Sequence, residues 1–421
     1  MAEYIADLQI HSPYSRATSK NISIESLAKC GKLKGLNLIG TGDFAHPLWY
    51  SHIKQKLKPI DDTGIFQFEN MNFMLTNEVS TIYTEENKTR KIHHLIFVPN
   101  FGIADQIIEQ LSKKANLKSD GRPILSGVSS PELVDMMIGI SKDILIIPAH
   151  VWTSWFGALG EFSGFNSLEE CYKDRIKYIY AFETGLSSNP PMNWAISKLD
   201  KFTIVSFSDA HSPNPWRLGR EFTAFNLKKL CYAEIFDAIK NKDREKIAFT
   251  GEVPPDYGKY HFDGHRNCKV SLSPEEAKKF NDFCPVCKKK LTIGVLHRTK
   301  LLADREEGFV PKDAIPFKTL LPLYEIISYV LGVNALYSKK VLEIHDRLID
   351  RFSSELNVIM NVSQEELTKV CEPKVAEAII KVREGKIKYE AGYDGVYGKP
   401  VFEGEIARRF VEQKSLGDFK K

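Results

Sequence analysis

Along roughly the first 240 residues, short apolar runs rich in β-branched side chains keep ending in polar, chemically active residues. Tyr4 to His11 closes on Asp7-Leu-Gln-Ile-His11, and Leu36 to Pro47 passes through Gly40-Thr-Gly-Asp43-Phe-Ala-His46. Phe73 to Glu78, Ile92 to Phe97 with its His93-His94 pair, Ile144 to His150, Tyr178 to Glu183 and Thr203 to Asp209-Ala-His211 repeat the theme. Runs of this length and composition predict strands buried on both faces. Helical stretches separate them, one from about Ser23 and one opened by Ser130-Pro131-Glu132, a cap residue followed by proline at the first helical position. Strands alternating with helices predict βα units around parallel strands. Polar residues gathered at strand ends predict a barrel-type site. The expectation for residues 1–240 is therefore an α/β domain, a (β/α) barrel.

The pattern changes at Lys240-Asn-Lys-Asp-Arg-Glu-Lys246. Residues 241–305 are rich in His, Cys and Lys and read as a small metal-binding module. Residues 306–421 turn helical, with Leu320, Leu321, Tyr324, Ile327 and Val330 at helical spacing and further helices over Lys339 to Phe352 and Pro373 to Arg383. A chain of 421 residues has room for two or three such domains. Its formal charge of +4 permits nucleic-acid binding without arguing for it. Seven cysteines, three of them clustered, suit a reducing compartment with one metal site better than a disulfide framework. The N-terminus lacks a basic region followed by an apolar run, and no apolar run reaches membrane-spanning length. The expectation is a soluble, cytoplasmic protein.

The candidate chemistry lies in His11, Asp43, His46, Glu78, His94, His150, Asp209 and His211, all at or near predicted strand ends. Asp209 and His211, two apart on an extended chain, project together. Mixed imidazole and carboxylate ligands suit Zn²⁺ or Mn²⁺, and the count exceeds what one tetrahedral ion needs, so two or three divalent ions are expected. Clustered ions bind phosphate oxygens, supply hydroxide at neutral pH and stabilise a leaving oxygen, which makes phosphoester hydrolysis the natural chemistry. His93 precedes His94 and faces the other way in a strand, so which of the two binds metal stays open.

The order of these motifs resembles the PHP (polymerase and histidinol phosphatase) family of metal-dependent phosphoesterases. Its motifs appear here as Gln9/His11, Asp43/His46, Glu78, His94, His150 and Asp209/His211. The resemblance implies a distorted (β/α)7 barrel in which His11, Glu78 and Asp209 share one ion. Glu78, His94 and His150 would hold a second and Asp43 with His211 a third, with Glu78, Asp209 and His150 carrying the catalysis and Zn²⁺, Mg²⁺ or Mn²⁺ as the ions. Gln9 departs from the family, which has histidine there; a neutral amide is a poor zinc ligand, so one ion binds weakly or the chain is inactivated. Asn189, in Ser187-Ser-Asn-Pro-Pro191, stands where relatives suggest an acid.

His265-Arg-Asn-Cys268 and Cys284-Pro-Val-Cys287 lie fifteen residues apart. Two tight turns carrying paired ligands close a tetrahedron, so structural Zn²⁺ is expected, with His261 as the alternative to His265. Lys288, Lys289, Lys290, Arg298 and Lys300 follow without an intervening acid and offer a basic face to a phosphate backbone. The loop Trp152 to Asn166 follows His150; its Trp152, Trp155 and Phe162 and its glycine-exposed backbone suit a flipped base. Glu390 to Pro400 is a glycine-rich loop in which Tyr393 and Tyr397 suit contact with a nucleic-acid strand.

Taken over nearly its whole length, the chain resembles the endonuclease Q family, PHP-type DNA repair nucleases found chiefly in archaea. That resemblance implies nicking of damaged DNA on the 5′ side of uracil, hypoxanthine, xanthine and abasic sites, with the base left attached. The alternatives are a small-molecule PHP phosphatase, which needs neither a basic zinc module nor a helical C-terminal part, and a non-catalytic damage-binding protein, which Gln9 keeps open. The last residues resemble a sliding-clamp-binding peptide through Gln413, Leu416 and Phe419, with Lys420 in place of a second aromatic.

Overall fold

A computed structural model describes residues 1–333 and 335–402. Its centre is the strand Ala2–Asp7, which pairs in parallel with Leu38–Gly40 and antiparallel with Phe222–Leu227. Leu38–Gly40 continues in parallel to the long strand Met71–Glu85. There the expected all-parallel alternation fails, because Lys88–Val98 runs antiparallel to Met71–Glu85 in a hairpin. The cause is local: Glu85 pairs with Lys88, and both intervening residues, Glu86 and Asn87, take positive φ of 51° and 59°. Two left-handed residues make the turn whose twist matches a hairpin.

Lys88–Val98 then pairs antiparallel with Leu145–Pro148. A bridge from Ile146 to Ile179 leads to Ala181–Glu183, which pairs in parallel with Thr203–Val205, and a bridge between Ile10 and Ala210 returns to the segment after the first strand. The ends of these strands face one space. Phe222–Leu227 also pairs with Ile247–Glu252, which takes Phe317–Thr319 in parallel, so the sheet runs on past the expected boundary at residue 240.

Helices cover the sheet for reasons visible in sequence. Ile24–Lys34 starts at a capping box between Ser23 and Ser26, ends at Gly35 with φ of 98°, and buries Ile24, Leu27 and Ala28. Ser130–Ile140 is capped by Ser129, whose capping box closes on Glu132, with Pro131 in the first turn. The helical C-terminal region comprises Leu323–Leu331, Lys339–Phe352, Glu355–Met360, Gln364–Thr368 and Pro373–Arg383. Its apolar faces share one continuous core with the sheet. A buried ion pair fastens the two: Lys34 Nζ meets Glu355 Oε1 at 2.6 Å, and the Leu323 amide donates to the same oxygen at 2.9 Å.

Between them, Asp263–His265 and Val270–Leu272 form a hairpin over a small core of Val270, Ala277, Cys284 and Leu291. A C-terminal hairpin, Lys388–Glu390 with Lys399–Val401, is stitched onto this part of the chain. The Gly392 amide donates to Asp256 O at 2.7 Å and the Gly398 amide to Tyr257 O at 3.1 Å. Among the described residues no helix is long and apolar enough to cross a membrane. Gln413, Leu416 and Phe419 lie outside the described residues.

Candidate active site

The strand ends converge on a cavity of about 640 Å³. Glu78, buried in mid-strand, is its hub. Gln9 Nε2 donates to Glu78 Oε2 at 2.8 Å and Arg122 Nη1 to Oε1 at 3.1 Å, while His11 Nε2 stands 3.4 Å from Oε2. Two groups of potential ligands meet here: His11, Asp209 and His211 on one side, and Glu78, His93 and His150 on the other. Within each group the ligand atoms all lie within 4.8 Å of one another, which fits a divalent ion held by imidazole and carboxylate. Asp209 Oδ1 is 3.1 Å from His11 Nε2, and His93 Nδ1 is 2.5 Å from Glu78 Oε1 and 3.2 Å from His150 Nε2.

The hairpin register decides between the two adjacent histidines. Ser80 faces His93 across the strands and Val79 faces His94, so His93 shares a face with Glu78 and His94 does not. His94 is turned away from the cavity, its ring nitrogens 3.0 Å from Thr81 Oγ1 and 2.9 Å from Tyr172 Oη. Burial pushes its pKa down to about 3, so it is a neutral, hydrogen-bonded core histidine. The expectation of His94 beside Glu78 and His150 is corrected to His93.

Asp43 and His46 fall in neither group. Asp43 is fully buried behind His11, meeting His11 Nδ1 at 3.2 Å and accepting from the Ser12 amide at 2.6 Å and Ser15 Oγ at 2.7 Å. It therefore sets the orientation of the His11 ring, as a carboxylate behind a ligand histidine does. Only glycine fits at position 121, because a Cβ there would stand 2.4 Å from Asp43 Oδ2 and from Ser15 Oγ. His46 is stacked on Tyr14 at 4.1 Å, and its buried Nδ1 has no hydrogen-bond partner among the described residues. Asp43, His150 and Asp209 all take positive φ, 43°, 28° and 48°. Left-handed backbone at residues other than glycine costs energy and is characteristic of functional sites.

Several residues of the site escaped the sequence reading. Glu183 ends its strand as the other candidates do, and accepts from the His150 amide at 2.6 Å. Burial, reinforced by Asp209, Glu221 and Glu78, raises its pKa well above the carboxylate range. Arg122, in the turn after Gly121, brings a cation among the acids. Arg217, Arg220 and Lys259 also line the cavity. Nothing in an isolated basic residue on a turn marks it for a cavity.

The loop Trp152 to Asn166 does border the cavity, through Trp152, Thr153 and Phe156. Trp152 is otherwise buried, its Nε1 donating to Asn193 Oδ1 at 2.8 Å. Trp155 is 44 % exposed and stacked on Phe162 at 4.2 Å; neither lines the cavity. Gly157, Gly160 and Gly164 instead pack against the loop's own backbone, where a Cβ would approach carbonyl or amide atoms within 2.2–2.4 Å, so they do not offer their backbone to a base. Arg298 leaves the expected basic face: it is buried and donates to Leu159 O, Phe165 O and Asn166 Oδ1 at 3.1, 3.0 and 2.8 Å, holding that loop in place. Lys288 and Lys289 are exposed. Tyr393 turns its ring onto Gly264, whereas Tyr397 lines the cavity. Asn189 caps the helix Pro190–Trp194, accepting from the Met192 amide at 3.2 Å.

His265, Cys268, Cys284 and Cys287 come together with ligand atoms within 4.8 Å, a donor set that fits a tetrahedral soft cation. His261 is not among them; its Nδ1 stands 3.2 Å from Ser187 O.

Two histidine–carboxylate groups joined through one buried glutamate, in a cavity with cationic walls, define a metal-dependent phosphoesterase. The MJ0043 C-terminal domain family matches residues 322–386. Protein MJ0043 of Methanocaldococcus jannaschii is 33% identical over 270 residues, 63% of this chain, which spans only 32% of that relative's own length. Protein YqxK of Bacillus subtilis is 30% identical over 419 residues, 95% of this chain and 99% of the relative. The crystal structure of the lesion-specific endonuclease PfuEndoQ from Pyrococcus furiosus matches with a TM-score of 0.85 and 34% identity over 100% of both chains. Endonuclease Q bound to a 27-mer duplex with an abasic lesion at the active site matches with a TM-score of 0.86 and 35% identity, over 98% of this chain and 99% of that one. The chain belongs to the endonuclease Q family of metal-dependent DNA endonucleases.

Proposed function

We propose that this protein cuts DNA at the phosphodiester on the 5′ side of deaminated bases (uracil, hypoxanthine and xanthine) and of abasic sites, leaving the base on its sugar. The observation that carries the reading is the hub at Glu78, where two ligand groups open into one cavity with room for an extruded nucleotide. We read the circuit of strands as a distorted seven-stranded barrel of the PHP type, His265, Cys268, Cys284 and Cys287 as a structural zinc site, and damaged DNA as the partner.

His11, Asp209 and His211 on one side and Glu78, His93 and His150 on the other would hold divalent ions, which would supply charge to neutralise the phosphate and lower the pKa of water. The chain's own residues do the rest. Glu78 joins the groups, Asp209 and His11 shape one, and His93 and His150 shape the other. Asp43 keeps the His11 ring turned correctly, and Arg122 stands where it can meet a phosphate oxygen once Glu78 is engaged elsewhere. Among the described residues Gln9 has a buried Oε1 with no partner, a carbonyl oxygen that suits a hard cation better than zinc, so the loss of the family's histidine tilts the site toward Mg²⁺ or Mn²⁺ and need not silence it.

An enzyme that inspects a base edge must take the base out of the stack, at a cost of a few kcal/mol, roughly, and less for a mispaired base. Thr153 and Phe156 with Leu186, Ser187 and Tyr260 make the wall that would receive it. Trp155 and Phe162, on the same loop as Thr153 and Phe156, offer a stacking surface, and Lys288 and Lys289 a phosphate contact outside. The test is Asp209→Asn and Glu78→Ala on a labelled uracil duplex with Mn²⁺ or Mg²⁺. Both variants should bind the duplex and fail to nick it. Nicking at near-normal rates with bound metal unchanged removes the assignment.

A further inference from the structure

One positive part of the cavity lining is assembled from three distant parts of the chain. Arg217 and Arg220 follow Asp209, Lys259 comes from the middle segment, and Tyr397 from the C-terminal hairpin. The Arg217 guanidinium is 5.3 Å and the Lys259 ammonium 5.0 Å from the centre of the Tyr397 ring, and Arg220 Nη1 is 3.5 Å from Tyr397 Oη. Arg220 is fixed in place, its Nε and Nη2 donating to Ser208 O at 3.0 and 2.9 Å, immediately before Asp209.

Three cations therefore crowd one phenol. Glu325 answers part of this charge: its Oε1 lies 3.6 Å from Arg217 Nη1, an ion pair beyond hydrogen-bond reach, while its Oε2 accepts from the Tyr257 hydroxyl. Among the described residues Arg217 Nη1 has no hydrogen-bond partner, only this long ion pair. The Tyr397 hydroxyl senses the same field. Burial alone would raise its pKa, but Arg220, Arg217 and Lys259 outweigh burial and bring it down to about 8.

We propose that this wall is a second phosphate site, separate from the Glu78 hub, which grips a non-reacting backbone phosphate of the bound DNA strand. The inference rests on reading the cavity as the place where DNA is cut. Arg217 and Lys259 each bring a positive charge to the cavity, and Arg220 forms the rigid back of the cradle, with Tyr397 as hydrogen-bond donor to the same oxygens. Because Arg220 is tied to Ser208, a phosphate held here fixes the register of the strand against Asp209. Phosphate contacts of this kind position a strand without reading its sequence.

The test measures binding of the full chain, metal chelated, to uracil-containing and undamaged duplexes across a salt series, for wild type and for Arg217→Gln/Lys259→Gln. One lost phosphate contact should lower the slope of log affinity against log salt by about 0.9 and weaken both duplexes alike, by about tenfold at low salt. An unchanged slope, or a loss confined to the uracil duplex, overturns the proposal. A second measurement uses Tyr397 itself as reporter: the tyrosinate absorbance missing in Tyr397→Phe should appear at higher pH when duplex is bound, since an anion opposes phenolate formation. An unmoved titration overturns the proposal even if the double variant misfolds. Should wild type fail to nick uracil DNA while the slope still falls, the functional reading fails and the phosphate site stands.

Discussion

Adjacent residues in one strand should fail in opposite ways when replaced. His94 is fully buried and bridges Thr81 and Tyr172, so His94→Ala strips Tyr172 Oη of its hydrogen-bond partner and opens a cavity in the core. An unpaired buried hydroxyl costs about 1–3 kcal/mol, and an imidazole-sized hole adds a comparable amount, for a total of roughly 3–5 kcal/mol. His93→Ala touches less of the core: Glu78 keeps Gln9 and Arg122 as partners, so the fold should survive with a smaller loss. What it removes is a ligand atom 2.5 Å from Glu78 and 3.2 Å from His150. Removing even a group that merely orients a ligand costs about 10- to 100-fold in affinity or activity, and a direct ligand should cost no less. Denaturant unfolding, elemental analysis after dialysis and nicking of a uracil duplex separate the two effects. The reasoning is refuted if His94→Ala stays as stable as wild type but loses metal, or if His93→Ala retains both metal and nicking.

Lys34→Met should destabilise by about 3–5 kcal/mol, because it leaves Glu355 charged and buried with only the Leu323 amide and a distant His345, whereas Lys34→Met/Glu355→Leu should recover most of the loss; chemical unfolding of the single and double variants checks this. Glu221→Gln should stabilise the protein increasingly as pH rises. Burial lifts the Glu221 pKa from 4.5 to about 8, so its contribution is fully present below about 4.5 and is lost as pH climbs toward and through 8, by up to about 1.4 kcal/mol per pH unit; melting curves of both proteins from pH 4 to 9 should diverge upward, and parallel curves would contradict the assignment. Gln9→His should raise zinc retention relative to manganese, since an imidazole replaces the unpartnered amide oxygen; equal retention in metal competition would mean that position 9 does not face an ion.

The positions of Glu78, His150 and Asp209 were legible because each chemical group follows or sits within a β-branched run, and such runs identify strands however the chain is wound. Winding itself was less legible. The hairpin at Glu86-Asn87 depends on two positive-φ residues with no glycine to announce them, so the antiparallel turn of Lys88–Val98 passed for a parallel unit. The same hairpin register settles His93 against His94, a choice that sequence alone leaves open. Arg122, Arg217, Arg220 and Lys259 were missed because a cation's place in a cavity is set by long-range packing, not by neighbours in sequence. Arg298 shows the converse: placed in a lysine-rich stretch, it read as a surface charge, but three carbonyl oxygens of the Trp152 to Asn166 loop pull it inside.

The central claim is strand cleavage beside an intact damaged base, and it is tested by mapping the products of a duplex carrying one uracil, incubated with the full chain and Mn²⁺ or Mg²⁺. Both product ends and any released uracil are identified on the same sample, with an undamaged duplex alongside. The account predicts a single nick on the 5′ side of the uracil, uracil retained on its sugar, and an undamaged duplex left whole. Release of free uracil, or equal cutting of the undamaged duplex, would contradict it.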